Sequence, residues 1–399
     1  MPYYIGDVIA SEKKLIARTP EAFEKSGIRV RLNTEAEEVD ENKGEVRLRT
    51  GERIPYDILV FATGASVTMP PVPGLDLPGV HVLKTLPDAL SIKEAIGSGK
   101  VKKAAVIGAG FIAMEMAEAF RTAGVEASLI QRAKLPVRRW DPDYATLVKE
   151  ELVKHGVHCH PETSPKAVEK GLSSPLRVVT DRGEIDTDLL LVATGVRPET
   201  RLAETIGLAV GETRALRVNF SQETSREGVY AVGDCAEVFH RVSQSWTSLP
   251  LGDIANKQGR VAGSNIGGTP LLFPGVVGAQ SFKVFDLQVA ATGLDEGEAK
   301  QSGFTPVVEK VTGTPTARSM SRGERIHLKL IADRSTGRFL GAQAVGSRGT
   351  VSRINFLSAA LWSGLKIDEI AYMDLAYSPP FGGAWDPVHI ACHALMRQF

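Results

Sequence analysis

Apolar and polar side chains alternate along residues 28–39 and 44–53, the period of two that half-buried antiparallel strands require. Residues 56–62 form a short apolar run that predicts a buried strand ending in Thr63-Gly64. Residues 103–107 predict another buried strand, the stretch from there to Ala123 has helical spacing, and residues 127–130 predict a third strand. Strand, helix and strand in that order make one parallel crossover unit, because parallel neighbours cannot be joined by a tight turn. A similar cycle closes at residues 188–193 with Thr194-Gly195, and the chain then passes through Gly228-Val229-Tyr230-Ala231-Val232-Gly233-Asp234. From about Phe282 the pattern is that of antiparallel strands, and from about Val351 that of helices, which predicts a separate α+β domain. With no low-complexity linker and no repeat array, the domains are expected to interleave.

Composition narrows the function classes. The 399 residues suffice for two or three domains at roughly 150 residues each. Lys and Arg total 47, as do Asp and Glu, so no basic excess points to nucleic acid or an anionic membrane as partner. The longest apolar stretch, residues 104–114, contains two glycines and falls short of the roughly 20 residues of a membrane helix. No signal peptide is visible at the N-terminus, and a cytoplasmic protein is expected. Three cysteines, Cys159, Cys235 and Cys392, are an odd number without close spacing, which argues against a disulfide framework or a C-x-x-C pair.

The strongest chemical signal is Gly108-Ala109-Gly110-Phe111-Ile112-Ala113, which follows a buried strand and opens a helix. In that context the first glycine permits the turn, the second admits a pyrophosphate to the backbone, and the third small residue lets helix and strand pack closely. Amides at the helix start then face an anion. Twenty-three residues after Gly108, at the end of the next strand, NAD sites place a carboxylate on the ribose; here stands Gln131, followed by Arg132. Glutamine does not repel a 2′-phosphate, and Arg132, with Lys134, Arg138 or Arg139 nearby, suits one, so NADPH or use of both nucleotides is expected. His158 and His160 share a strand face, and His389, Cys392 and His393 have helical spacing, but neither group has an evident fourth ligand and no metal is expected.

Two strands end in the same Ala-Thr-Gly, at Ala62-Thr63-Gly64 and Ala193-Thr194-Gly195, which suggests two related dinucleotide-binding domains. Tyr230-Ala231-Val232-Gly233-Asp234 then places a carboxylate after a strand, suited to a sugar-alcohol hydroxyl. In this order the motifs resemble the pyridine nucleotide-disulfide oxidoreductases, in particular their single-cysteine branch of coenzyme A disulfide reductases, NADH oxidases and peroxidases, and persulfide reductases. The resemblance covers essentially the whole chain. Met1-Pro2-Tyr3-Tyr4-Ile5-Gly6 is similar to the segment that follows the branch's redox cysteine, and Lys283-Val284-Phe285-Asp286-Leu287 and residues 374–382 to its dimerisation domain.

The resemblance implies an α/β fold: two related Rossmann-like domains, the FAD domain incomplete (1–88 and 208–275) with the NAD(P) domain (89–207) inserted, and a C-terminal α+β dimerisation domain (276–399). It implies an FAD-dependent enzyme that passes hydride from NAD(P)H through flavin to a disulfide, a persulfide or oxygen species, and that works as a homodimer on a small-molecule substrate. Gly108, Gly110 and Glu115 would lie along the nicotinamide nucleotide, with Phe111, Ile112, Gln131 and Arg132, and with Gly195 and Val196 closing over it. Thr63, Gly64, Gly233 and Asp234 would hold FAD, and residues 251–256, including Leu251 and Ala255, would start the helix beneath the flavin ring. Tyr377 matches the tyrosine given across the dimer to the partner's active site.

Two departures qualify those expectations. Family members begin with a strand, a glycine-rich turn, a helix and the redox cysteine, whereas this chain begins after that unit, and none of its cysteines matches that position. A fragment or a late start codon is therefore expected, with weak FAD binding and an unpaired strand edge; the alternative is a non-catalytic nucleotide-binding remnant. Cys235 is expected to be a buried structural thiol. Ser319 and Met320 stand where a second cross-dimer tyrosine is common, which weakens a strict coenzyme A disulfide assignment.

Overall fold

A computed structural model describes residues 1–399, which form two compact units, each assembled from separate stretches of chain. The first comprises Met1–Glu12, Met69–Gly195 and Val277–Phe399, the second Lys13–Thr68 and Val196–Val276. No helix is long and apolar enough to cross a membrane.

The parallel sheet of the first unit runs Val80–His81, Leu189–Val192, Lys103–Ile107, Glu126–Ile130, Val157–His160 in spatial order. All neighbours are parallel, so helices and loops must cover both faces; Leu189–Val192 is accordingly apolar throughout, and Lys103–Ile107 is so after its exposed first residue. The expected crossover is present: Lys103–Ile107 leads into the helix Phe111–Thr122, which returns to Glu126–Ile130. A three-stranded antiparallel sheet of Pro165–Lys170, Leu176–Thr180 and Gly183–Thr187 closes one side, packing Val168, Leu176 and Val178 on Ala105, Ile107, Ile130 and Leu190.

The expected C-terminal α+β domain is a five-stranded antiparallel sheet in the order Gln280–Val284, Leu287–Gly293, Phe339–Gly346, Ile326–Asp333, Pro306–Gly313. Its middle strand Phe339–Gly346 is buried at every position. The helices Thr350–Trp362 and Pro387–Leu395 pack on this sheet.

The parallel and antiparallel sheets of this unit are locked together by residues 139–143. Trp140 lies edge-on to Phe111 and Phe282, and its indole N–H reaches the Ala290 carbonyl at 3.4 Å. Gln343 accepts from the Asp141 N–H at 2.8 Å and donates to the Arg139 carbonyl at 3.0 Å, so its amide is satisfied at both ends. Lys329, only 2% exposed, meets the Asp141 carboxylate at 2.8 Å and is also paired with Glu296. A buried ammonium without such partners would be prohibitively costly.

In the second unit, Ala36–Asp40, Glu45–Leu48 and Arg53–Pro55 form an antiparallel sheet, and Leu59–Phe61 pairs in parallel with Val229–Ala231. Phe61, Leu216, Ala231 and Cys235 centre its core. Ala65–Val67 pairs with Val196–Pro198, and the helix Gly252–Ile266 packs Ile254 and Val261 on Val238, Phe273 and Val276.

Two strand expectations are corrected. Alternation over residues 28–35 does not make a strand: Asn33 has φ +52°, outside any strand geometry, and extended pairing starts only at Ala36. The run 56–62 yields only Leu59–Phe61, and Val60 is 40% exposed instead of buried, since this strand is hydrogen-bonded on one side alone.

Burial alone would raise the Asp141 carboxyl, but hydrogen bonds from Lys310, Lys329 and the Asp143 N–H outweigh it and bring it to about 2. A carboxylate depressed in the folded state stabilises it above the unfolded value near 3.8 and loses that contribution as pH falls toward about 2. Asp141→Asn is expected to destabilise the chain at neutral pH by ~3 kcal/mol and to flatten its acid unfolding between about pH 4 and pH 2. Thermal melts over that range check both; equal melting temperatures would show that the carboxylate does not hold the junction.

Candidate functional site

The glycine turn follows from one close approach of backbone to backbone. Gly108 has φ +130°, and a Cβ there would lie 2.1 Å from the Ala193 carbonyl oxygen, so no other residue fits between the ends of the two central strands. Gly110 is different in kind: its backbone is extended, with φ −88°, and a Cβ would meet nothing within 4 Å. The space beside it is open to a ligand. Gly110 caps the helix Phe111–Thr122 without any side-chain hydrogen bond, and the first turn carries no acidic residue, which leaves its N–H groups to an incoming anion. Ala113 is fully buried, the close helix packing that a small third residue allows.

Residues 132–139 fold back over this turn. The Val137 N–H donates to the Ala109 carbonyl at 2.9 Å, and Val137 is buried at φ +46°, an unfavourable conformation for a β-branched side chain that the surrounding packing must hold. Arg132, Lys134 and Arg138 are left exposed, whereas Arg139 is committed to the Gly293 carbonyl and Glu298. The Gln131 side chain is buried, its amide nitrogen donating to the Ala133 carbonyl at 3.0 Å and its Oε1 without any partner. An orphaned acceptor at the end of this strand matches a donor such as a ribose hydroxyl. With the open space at Gly110, it makes these residues fit a dinucleotide.

Phe111 turns its ring toward Phe282 and Trp140, with centroids at 4.9 and 5.5 Å, so its backbone N–H is the group it can offer a ligand. Ile112 is exposed beside it. Half-buried Glu115 accepts a hydrogen bond from the Tyr3 hydroxyl at 3.3 Å. Burial pushes the Glu115 carboxyl up, and burial together with Glu115 pushes the Tyr3 phenol to about 12. Gly195 follows the strand that supplies the Ala193 carbonyl.

In the second unit Val196 begins the strand Val196–Pro198. Thr63 donates to the Glu199 carbonyl, and the Gly64 carbonyl accepts from the Glu199 N–H at 2.9 Å. Gly233 lies against the first turn of the helix Gly252–Ile266, a Cβ there being 3.4 Å from that of Ala255. The structure thus gathers Gly233, Asp234 and Ala255, next to Leu251 at the helix cap. Gln258 holds them: 1% exposed, it accepts from the Gly233 N–H at 2.8 Å and donates to the Glu237 carbonyl at 3.0 Å. It went unnoticed in the sequence, where the signal was a polar residue on the apolar stripe of Ile254, Val261 and Ala262. These residues fit the ribityl and ring end of a flavin nucleotide; the chain has no second G-x-G-x-x-G turn for its pyrophosphate.

Tyr377 is 59% exposed, on a surface that also presents Tyr372, Phe381 and Trp385. His389 bonds the Met373 carbonyl at 3.0 Å, and His393 lies edge-on to Tyr372 and Trp385. Cys235 is buried with its Sγ toward the Val232 carbonyl, as a structural thiol would be.

Comparison with known proteins identifies the family to which this fold belongs. The profile of the pyridine nucleotide-disulphide oxidoreductase family matches residues 5–259, and that of the family's dimerisation domain residues 279–388. The chain is 39% identical to an NAD(P)H sulfur oxidoreductase (CoA-dependent) of Pyrococcus furiosus, over 98% of this chain and 89% of that protein. It is 32% identical to an NADH oxidase of Methanocaldococcus jannaschii, over 100% of this chain and 90% of that protein. Among solved structures, an NAD-dependent persulfide reductase from A. fulgidus superposes with a TM-score of 0.95 at 36% identity, over 100% of this chain and 75% of the other.

The two glycines separate folding from binding. Gly110→Ala is expected to melt like the parent chain yet to bind NADP+ at least tenfold more weakly, because its methyl enters the open space; Gly108→Ala is expected to lower the melting temperature as well. Calorimetric titration beside thermal melts checks this, and unchanged affinity in Gly110→Ala would place the nucleotide elsewhere.

Proposed function

The chain belongs to the pyridine nucleotide-disulphide oxidoreductase family, and from that premise we propose that it uses NADPH in preference to NADH to reduce sulfur carried as a persulfide or polysulfide on coenzyme A. It is an FAD-dependent NAD(P)H oxidoreductase. The observation that carries the nucleotide preference is the basic loop folded onto the glycine turn: Arg132, Lys134 and Arg138 are exposed and uncommitted, and no carboxylate stands at position 131 to repel a 2′-phosphate. The sulfur acceptor is supported by the similarity to the sulfur oxidoreductase and the persulfide reductase. A second reading, oxygen as acceptor, draws support from the NADH oxidase. A non-catalytic remnant is not favoured, since relatives similar along nearly the whole chain are enzymes.

In the proposed reaction, hydride from NADPH and one proton convert a persulfide, R–S–SH, into the thiol R–SH and hydrogen sulfide, so two electrons and two protons are consumed as the S–S bond breaks. FAD, when bound, supplies the carrier between the nicotinamide and the acceptor. The chain's own part is binding and orientation. The first-turn amides of the helix Phe111–Thr122 take the pyrophosphate, Gln131 Oε1 the ribose and Arg132 the 2′-phosphate, while Asp234 and the start of the helix Gly252–Ile266 hold the flavin nucleotide. None of the three thiols suits a nucleophile: Cys235 and Cys392 are fully buried, and burial raises Cys159 and pushes Cys392 to about 12. The exposed Tyr377, Phe381 and Trp385, within the match to the dimerisation domain, support pairing with a second copy. Three unpaired cysteines support a cytoplasmic location.

The test is NADPH oxidation by the purified chain after incubation with FAD and removal of free flavin. Release of hydrogen sulfide from coenzyme A persulfide supports the reading, and consumption that depends on oxygen alone replaces the acceptor. A chain that neither retains flavin nor oxidises NADPH overturns it. Gln131→Glu with Arg132→Glu is expected to shift the ratio of kcat/KM values toward NADH by about 10- to 100-fold, the worth of a charge-assisted hydrogen bond of ~1.5–3 kcal/mol. An unchanged ratio would remove the basic loop from nucleotide choice.

A further inference from the structure

The helix Pro142–Lys154, capped at its start by the Asp141 that meets Lys329, is also held at its other end. Glu151 and His155 stand four residues apart and so share one face. Facing them is the two-residue turn Phe285-Asp286 between the strands Gln280–Val284 and Leu287–Gly293. The Asp286 N–H donates to Glu151 Oε1 at 3.0 Å, and the Phe285 ring stacks flat on the His155 imidazole, with centroids 4.0 Å apart and planes 1° from parallel. With its plane fixed by that stacking, the imidazole brings Nε2 to 3.1 Å from Glu151 Oε1 and 3.5 Å from Asp286 Oδ2. The three side chains offer ligand atoms that all lie within 4.8 Å of one another. The two shorter spacings bracket the edge of about 3.3–3.4 Å that a tetrahedron with bonds of roughly 2.0–2.1 Å requires.

Glu151 is only 7% exposed, and a carboxylate so buried beside a second one calls for a cation between them. The chain meets this demand with Lys154, whose ammonium lies 3.1 Å from Glu151 Oε2 and 3.3 Å from Asp286 Oδ2. That ammonium marks where positive charge is held, yet its side chain is 60% exposed and can swing out. Glu151, Lys154 and Asp286 also form part of the wall of a cavity of about 450 Å³, which Leu147, Arg325 and His327 line as well. We propose that Glu151, His155 and Asp286 bind a divalent metal ion of the zinc class, which displaces the Lys154 ammonium and takes a water from the cavity as its fourth ligand. An imidazole nitrogen and two carboxylate oxygens are donors that zinc accepts, and three protein ligands with one open position are a coordination it adopts. Bound there, the ion joins the end of a helix to a turn of the antiparallel sheet 135 residues further along the chain, a junction that exists only in the folded state. Zinc therefore stabilises that state. None of these residues belongs to the glycine turn, so the inference stands independently of the nucleotide reading.

The test is calorimetric titration of the full chain with Zn2+ after treatment with a chelator, beside thermal melts with and without the ion. The parent is expected to bind one Zn2+ per chain at micromolar concentration and to melt higher in its presence. His155→Ala and Asp286→Asn are each expected to weaken binding at least tenfold and to abolish the rise in melting temperature. Lys154→Met removes the competing ammonium and is expected to tighten binding about three- to tenfold. Asp286→Asn alters an exposed side chain, so it keeps the test decisive even if loss of the stacked imidazole in His155→Ala lowers the zinc-free melt. Titration with Co2+ in place of Zn2+ should give the visible absorption of a tetrahedral site in the parent and none in Asp286→Asn. A parent that binds no Zn2+ saturably would overturn the proposal, and so would undiminished binding in both His155→Ala and Asp286→Asn, which would place the ion on other histidines.

Discussion

The arrangement depends on one buried charge. Lys329, on a strand of the antiparallel sheet, is tolerated in the interior because Asp141 and Glu296 meet it, and Asp141 stands at the end of the segment that folds back over the glycine turn. Along that segment run, in order, the uncommitted cations, the strained Val137, the tethered Arg139 and the Trp140 ring. The pair thus does more than join two sheets. The segment it anchors is the one in which the Val137 N–H donates to the Ala109 carbonyl and Arg132 and Arg138 stand exposed. The stretch that secures the junction of the two sheets is thus also the one that covers the glycine turn.

How much of this was legible in the sequence depended on whether the determining interaction was local. The strand, turn and helix at residues 103–122 could be read because every requirement is met within a few residues: apolar run, glycine with a special backbone, helical period. The antiparallel strands after Phe282 and the helix near Val351 were legible for the same reason. Residues 28–35 were misread because alternation specifies a strand only where a partner exists, and Asn33 turns the chain before one is reached. The burial of residues 56–62 was overestimated because an apolar run records what a strand can bury, not how many neighbours it has.

The site divides along the same line. Gly108 and Gly110 carry their meaning in the turn itself, so their different roles could be read from the motif, and the structure adds the physical reason: one is required by the Ala193 carbonyl, the other leaves room. Arg138 and Arg139 read alike, yet only Arg139 meets a carbonyl 154 residues away. Gln258 and Tyr3 act on Gly233 and Glu115 through hydrogen bonds that span 25 and 112 residues, and no motif records pairs so separated.

That separation also shapes how the protein is made. Lys329 follows Asp141 by 188 residues. At a synthesis rate of about 5–20 residues per second, roughly 10–40 s pass between the two. For most of that interval the Trp140 ring lacks Phe282, and the parallel sheet leaves the ribosome with its docking face bare. A chain of this layout cannot finish its first unit vectorially, and its newborn state is the one in which a holdase chaperone has most to protect.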